Sequence, residues 1–151
     1  MGATVTWAPE SITVTRDPSV KLKGVDVDCR KIPDAAMTLA VAALFAEAPP
    51  TIHNVYSWRL KETDRMKAIV AECTKLGATV EEFEDYSCII HPPEDNKINN
   101  NVLIETYDDH RMATTFKIAA CGGVNVIINN PDCTAKNFPT YFDILEGIVT
   151  H

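Results

Sequence analysis

Charged residues that could bind an anion or move a proton recur at four places along the chain, each just before or at the start of a predicted helix. Helix starts present unpaired backbone N–H groups and a partial positive charge, so they favour anionic ligands. Lysine and arginine side chains would strengthen such a site for phosphates and carboxylates. Carboxylates and a histidine among them could add acid–base chemistry. The residues are Asp34; Lys61, Glu62 and Arg65; His110 and Arg111; and Lys136.

Each of these residues also has an ordinary structural explanation. Asp34 could be a first-turn acid that suits the helix dipole. Residues 61–65 could form a solvated helix start with its own ion pairs. Residues 108–111 could pair among themselves, and Lys136 could be a loop lysine. Repetition at four successive strand-to-helix junctions favours one shared site over four separate explanations.

The elements that would position these residues follow from the spacing of apolar residues. Short or alternating apolar runs predict strands at residues 4–7, 12–16, 24–28, 51–56, 79–83, 86–90, 102–106 and 124–129. The first predicted helix begins at Pro33 and is stopped by residues 48–50, and the others span residues 62–76, 109–121 and 139–149. Their inward faces would carry Met37, Ala40, Val41, Leu44 and Phe45; Met66, Ile69, Val70, Cys73 and Leu76; Met112, Phe116, Ala119 and Ala120; and Tyr141, Leu145, Ile148 and Val149.

The order of these elements repeats. Residues 24–91 read β-α-β-α-β-β, residues 102–150 begin the same order with β-α-β-α, and residues 1–16 would be a hairpin that ends a preceding unit. This alternation predicts the α/β class, with about one and two-thirds units in the chain. We expect the four strand-to-helix junctions to lie along one edge. A chain that begins and ends inside a repeat is expected to be a piece of a larger domain.

Composition narrows the function. A net charge of −7 argues against nucleic acid as a partner, and no stretch is long and apolar enough to predict a membrane span. The five cysteines are scattered and include no CxxC pair, which argues against a disulfide framework or a zinc site and favours a reducing compartment. No metal-ligand spacing occurs, and no cofactor is predicted.

Four stretches closely resemble the 5-enolpyruvylshikimate-3-phosphate synthases. Their motif sequences are similar to those of the glyphosate-sensitive class found in plants and many bacteria. They are IPDAAMTLAVAALFA (residues 32–46), SWRLKETDRMKAI (57–69), TYDDHRMATTF (106–116) and DCTAKNFPTYF (132–142). The resemblance extends over essentially the whole chain but only about the last third of the family's length. It implies the family's inside-out α/β barrel-type domain, built from βαβαββ units, in which helix starts face a cleft between two domains.

The resemblance also implies a reaction, the transfer of the enolpyruvyl group of phosphoenolpyruvate to the 5-hydroxyl of shikimate 3-phosphate. By its place in the motif, Asp34 would be the base for the 5-hydroxyl and would contact shikimate 3-phosphate. Glu62 would exchange the proton at C3 of phosphoenolpyruvate. Lys136 would bind phosphoenolpyruvate and belong to the catalytic set. No metal or cofactor is implied.

The remaining matched positions would bind the two substrates. Arg65 and Arg111 would hold the carboxylate and phosphate of phosphoenolpyruvate, where glyphosate also binds. Lys61 would contact shikimate 3-phosphate, and the hydroxyl of Ser57 would replace an amide contact of bacterial members. His110 would have a supporting role.

The resemblance places the family's N-terminal domain outside this chain, although that domain would supply most contacts to shikimate 3-phosphate. As a separate polypeptide the chain is therefore expected to bind anions weakly and to show little or no turnover. A non-catalytic domain that binds anions or glyphosate and a purely structural domain remain alternatives. The implied compartment is the bacterial cytoplasm or the plastid stroma.

Overall fold

The structure, a computed structural model, describes residues 1–148 as alternating strands and helices. The strands are β1 (Thr4–Ala8), β2 (Ser11–Thr15), β3 (Asp26–Asp28), β4 (Thr51–His53), β5 (Thr79–Glu82), β6 (Cys88–His91), β7 (Val102–Ile104) and β8 (Val126–Ile128). The helices are α1 (Pro33–Ala42), α2 (Arg65–Lys75), α3 (His110–Lys117) and α4 (Tyr141–Ile148). Short 3-10 helices occur at Ala43–Phe45, Tyr56–Leu60, Glu94–Asn96, Ile118–Gly122 and Pro131–Thr134.

The described strands form three sheets. The largest has the order β3-β4-β6-β5, in which β3 and β4 are parallel and the β5–β6 hairpin adds antiparallel to β4. Strands β7 and β8 form a parallel pair, and β1 and β2 an antiparallel pair. Helix α1 connects β3 to β4, and α3 connects β7 to β8, so the two parallel pairs repeat one arrangement. No helix within residues 1–148 is long and apolar enough to cross a membrane.

The core forms around α1, whose Ala36, Met37, Ala40 and Val41 are buried. Helix α1 packs against α2, α3 and β4. Small alanines on this helix let its neighbours approach closely, while the larger side chains fill the space between the layers. The starts of α1, α2 and α3 are therefore held in one packed body.

Several predicted boundaries were wrong for local reasons. Helix α2 begins at Arg65 rather than at residue 62, because the Asp64 carboxylate accepts the backbone N–H of Lys67 and caps the helix. The strand predicted for residues 51–56 ends at His53, and a 3-10 helix follows, tied to α1 by the 2.7 Å hydrogen bond from Trp58 Nε1 to the Pro33 carbonyl.

The last two helices also differ from the prediction. The α-helical part of α3 ends at Lys117 and continues as a 3-10 helix. Helix α4 begins at Tyr141. Its first two turns pack against the rest of the domain, where Leu145 is buried. Ile148 was predicted to face inward but is 72% exposed, because that packing surface ends before it. Val149 lies outside the described residues.

Two chain segments approach each other closely just before β3, and this contact holds the start of the strand in place. The backbone N–H of Glu47 donates to the Leu22 carbonyl and that of Thr51 to the Val25 carbonyl, both at 2.8 Å. A Cβ atom on Gly24, between them, would lie 2.6 Å from the carbonyl oxygen of Ala48. Because backbone on both sides is held by these hydrogen bonds, neither segment can move away without losing them.

We therefore expect Gly24→Ala to lower the free energy of unfolding by about 1–3 kcal/mol through overpacking. Urea unfolding followed by circular dichroism measures the change. Gly147→Ala is the control, because a Cβ there meets nothing within 4 Å and a helical alanine should gain about 0.5–1 kcal/mol. Equal effects of the two substitutions would show that the approach at Gly24 does not constrain the fold.

Candidate active site

The side chain of Arg65, at the start of α2, is the centre of the candidate site. It is only 2% exposed. Its Nε lies 2.7 Å from Oδ2 of Asp109 and its Nη2 lies 3.1 Å from Oδ1, so one carboxylate accepts two bonds from the guanidinium. Asp109 is fully buried and caps α3, since its Oδ1 also accepts the backbone N–H of Arg111 at 2.8 Å. One ion pair thus joins the starts of α2 and α3.

Asp34 brings the start of α1 to the same place. Its Oδ1 accepts a 2.8 Å hydrogen bond from Nη1 of Arg65 and lies 3.6 Å from Nζ of Lys61. Its Oδ2 lies 3.6 Å from Nη2 of Arg111. Partial burial alone would raise the pKa of Asp34, but the charges of Arg65, Lys61 and Arg111 outweigh it and lower the pKa below the ordinary range. Asp34 is therefore ionised at neutral pH.

Glu62 is the second exposed acid of the cluster. Its Oε2 accepts a 3.0 Å hydrogen bond from Nη2 of Arg65, while its Oε1 lies 3.8 Å from Nδ1 of His110. The Glu62 side chain is 47% exposed and that of His110 is 18% exposed. An acid held by a buried cation but open to solvent can reach a bound ligand.

Lys136 faces this acid across a cavity of about 540 Å³. Glu62, His110 and Lys136 line the cavity together with Asp108, Asp132 and Asn137. Lys136 lies in the loop before α4 and is exposed. Within residues 1–148 it forms no ion pair, so its charge is available to a ligand.

Arg111 also has unused hydrogen-bonding capacity. Its Nε is buried and has no hydrogen-bond partner among the described residues. The side chain as a whole is 43% exposed, and its nearest charged group is Asp34. The terminal nitrogens Nη1 and Nη2 donate no hydrogen bond within residues 1–148, so this exposed edge of the guanidinium can donate to a carboxylate or phosphate.

The structure thus brings together six of the predicted site residues in one network of ion pairs and places a seventh, Lys136, across the adjoining cavity. The six are Asp34, Lys61, Glu62, Arg65, His110 and Arg111. Ser57 lies outside this network. It is half-buried in the 3-10 helix that precedes Lys61.

Two residues important to the site were not predicted. Asp109 had been considered only as a pairing partner of its neighbours, although an aspartate before a helix is a strong capping signal. Glu72 was passed over on the apolar face of α2, between Ile69 and Cys73, where an acid facing the core signals a buried polar contact.

Glu72 holds the loop that leads into α3. It is fully buried. Its Oε2 accepts Nζ of Lys75 at 2.7 Å and the backbone N–H of Glu105 at 3.1 Å, and its Oε1 accepts the hydroxyl of Tyr107 at 2.8 Å. Tyr107 and the next residue, Asp108, have φ of +53° and +57°, which costs backbone energy. Burial and the bond to Glu72 raise the pKa of Tyr107 to about 12, so it stays a donor.

Comparison with solved structures identifies the fold class, and comparison with known sequences then identifies the family. The fold resembles EPSP synthase from Acinetobacter baumannii (TM-score 0.74, 22% identity, 96% of this chain and 35% of that one). It also resembles the enolpyruvyl transferase NikO from Streptomyces tendae (TM-score 0.71, 17% identity, 98% of this chain and 33% of that one). The predicted α/β fold of enolpyruvyl transferases is thereby confirmed.

The sequence matches the family model of EPSP synthase (3-phosphoshikimate 1-carboxyvinyltransferase) over residues 1–145. It is 54% identical over its whole length to 3-phosphoshikimate 1-carboxyvinyltransferase 2 of Nicotiana tabacum and 50% identical to the Sulfurovum enzyme, covering 45% and 34% of them. The chain belongs to the EPSP synthase family, as its motifs predicted, and spans less than half the length of these relatives.

We expect Glu72→Gln to lower the free energy of unfolding by about 1–3 kcal/mol, because the buried carboxylate that accepts hydrogen bonds from Lys75, Tyr107 and the Glu105 backbone is replaced by a neutral amide. It should also shift the NMR amide resonances of residues 105–111 in the folded domain. Glu146→Gln, at an exposed position of α4, is the control and should change stability by less than about 0.5 kcal/mol. Unchanged resonances at residues 105–111 would show that Glu72 does not hold this loop.

Proposed function

We propose that this domain forms one wall of a site that transfers the enolpyruvyl group of phosphoenolpyruvate to the 5-hydroxyl of shikimate 3-phosphate with release of phosphate. Membership of the EPSP synthase family supports this reaction. The observation that carries the proposal is the convergence of three helix starts on Asp34, beside a cavity that Glu62 and Lys136 share.

Arg111 and Lys136 are the cations best placed to bind phosphoenolpyruvate. Both have donors without a partner within the described residues, so a carboxylate or phosphate can bind them without breaking a contact. Arg65 differs, since four hydrogen bonds from its five N–H groups already go to Asp34, Glu62 and Asp109. It can donate the one remaining N–H of Nη1 to a ligand. Alternatively, its hydrogen bond to Asp34 can be replaced by one to the ligand.

The two exposed acids act on different atoms in the proposed reaction. Asp34 takes the proton of the 5-hydroxyl as its oxygen adds to C2 of phosphoenolpyruvate, and Glu62 delivers a proton to C3. In the second step Glu62 takes a proton back from C3, the bond between C2 and the phosphate oxygen breaks, and the double bond forms again. The departing phosphate takes up the proton that Asp34 accepted, so both acids return to their starting states. Nδ1 of His110 lies 3.8 Å from Oε1 of Glu62, close enough to help orient the Glu62 side chain.

Ligand binding would also make Asp34 a better base. Without a ligand, the cations around Asp34 lower its pKa and so weaken it as a proton acceptor. Anionic substrate groups bound to Lys61 and Arg111 would cancel part of this positive potential and raise the pKa of Asp34. Asp34 would therefore accept the proton of the 5-hydroxyl more readily once the substrates are bound.

The charge balance indicates that this wall alone binds anions weakly. Besides His110, the network holds three carboxylates and three lysine or arginine side chains, with Lys136 as one further cation across the cavity. A phosphate and a carboxylate on one ligand require more positive charge than this. The proposed partner is the second domain of the same enzyme, which would close the cleft, complete the shikimate 3-phosphate contacts of Lys61 and Ser57, and exclude water.

Glyphosate is proposed as a competing ligand at Arg111 and Lys136, because it also carries a carboxylate and a phosphorus acid group. For the compartment, the relative in Arabidopsis thaliana is described as chloroplastic, and relatives also occur in bacteria. We propose the plastid stroma or the bacterial cytoplasm accordingly.

We expect phosphoenolpyruvate to bind this domain, and Arg111→Met and Lys136→Met each to weaken the affinity about tenfold, since each removes a charge-assisted hydrogen bond worth about 1.5 kcal/mol or more. NMR titration of the amide resonances measures these affinities. Lys97→Met is the control, because Lys97 lies beside Gly77 at the other end of α2. It should change the affinity by less than about twofold.

Equal affinities for all three variants would exclude the cavity as the binding site. A turnover assay with both substrates separates the remaining alternatives. We expect a negligible rate from this chain alone and a rate that depends on Glu62 when the second domain is supplied. Binding without turnover under both conditions would favour a non-catalytic anion-binding domain instead.

A further inference from the structure

Lys61 and Glu62 lie on a short loop that joins a 3-10 helix to α2. Both residues are exposed, and in the described part of the chain residues 61–63 make no backbone–backbone hydrogen bond. The chain on either side of the loop is fixed, since Trp58 and Arg65 are buried. An exposed segment without backbone hydrogen bonds is mobile unless side-chain contacts hold it. The position of the two site residues therefore depends on such contacts.

The contacts of Lys61 and Glu62 inside the site are with charged groups that a ligand would also use. Nζ of Lys61 lies 3.6 Å from Oδ1 of Asp34, and Glu62 accepts a 3.0 Å hydrogen bond from Arg65. Under the proposed function, substrate anions compete with these carboxylates for the same cations. A support that lies away from the cavity would keep the loop in place while the ligand binds.

Arg59 provides a support of this kind. Its Nη1 lies 3.0 Å from Oδ2 and 3.3 Å from Oδ1 of Asp64, the residue that caps α2, so one ion pair spans the loop. Its Nη2 donates to Oε1 of Glu82, the last residue of β5. The β5–β6 hairpin pairs with β4, so the guanidinium is anchored on the largest sheet.

The ion pair between Arg59 and Asp64 is sheltered from solvent and separate from the site. The two side chains are 25% and 27% exposed. Neither residue is among those that line the cavity beside Glu62. A ligand in that cavity can therefore bind without breaking the pair.

We propose that Arg59 is a positioning residue, which holds Lys61 and Glu62 in the site. It does so by binding Asp64 across the loop and Glu82 on β5. Arg59 touches no reacting group and acts through Glu62, whose carboxylate must stay within reach of C3 for proton transfer. This catalytic consequence rests on the proposed function, whereas the ordering of the loop follows from the contacts alone.

NMR relaxation of this chain tests the ordering of the loop. The amide order parameters of residues 61–63 should be about 0.85 in the wild type and fall below about 0.6 in Arg59→Met. Asp64→Ser should lower them in the same way, because serine keeps the helix cap but cannot pair with Arg59. Lys67→Met is the matched control, since Lys67 lies 3.8 Å from the same carboxylate without spanning the loop. It should leave the order parameters unchanged, and circular dichroism verifies that all variants fold.

Turnover with the second domain supplied tests the catalytic consequence. Arg59→Met should lower kcat about tenfold, because Glu62 is in position for a smaller fraction of the time. The KM for phosphoenolpyruvate should change by less than about twofold, because Arg111 and Lys136 keep their places. Arg59→Lys should recover part of kcat, since one ammonium group can still pair with one of the two acids. Lys67→Met should turn over as the wild type does.

Order parameters that are unchanged in Arg59→Met, or that fall equally in Lys67→Met, would overturn the proposal. A mobile loop together with an unchanged kcat would also overturn it, because the loop would then not need to be held for the reaction. If the wild-type domains together show no turnover, the proposed function fails instead, and the order parameters still decide whether Arg59 holds the loop.

Discussion

The candidate site depends on the buried ion pair between Arg65 and Asp109. Removing two charges from water is costly, and the pair is retained only because its geometry returns most of that cost. Asp109 accepts two hydrogen bonds from the guanidinium and a third from the backbone of α3. Burial disfavours the charged guanidinium, but Asp109 more than compensates and raises the pKa of Arg65. The starts of α2 and α3 are consequently locked at one distance.

The same guanidinium positions the two acids that the proposed chemistry needs. Its remaining hydrogen bonds reach Asp34 from α1 and Glu62 from the preceding loop, so both acids are held by a group that is itself immobile. Lys61 and Arg111 then act on Asp34 from the solvent side, which leaves the ionised acid exposed to a ligand. A preorganised set of charges of this kind lowers the cost of stabilising an anionic intermediate.

The sequence predicted the positions of the site better than the contacts within it. Capping signals, proline and apolar spacing are local, so the order of strands and helices could be predicted, and charges at successive junctions predicted a common edge. The pairing of Arg65 with Asp109 joins residues 44 positions apart, and no local pattern encodes it. The sequence therefore indicated Arg65 only as a cation for the ligand, whereas four of its five N–H groups bind carboxylates of the protein in the structure. Glu72 was missed for the same reason, because its partners in the loop before α3 lie more than 30 positions away.

The most direct test is a double-mutant cycle of Arg65→Met and Asp109→Asn, measured by urea unfolding. Each single substitution leaves a charge or polar group buried without its partner and should cost about 3–5 kcal/mol. The double substitution should cost at least about 2 kcal/mol less than the sum, because neither partner is then left unmatched. Effects that add to within about 0.5 kcal/mol would show that the two side chains act independently, which would contradict the central role given to this pair.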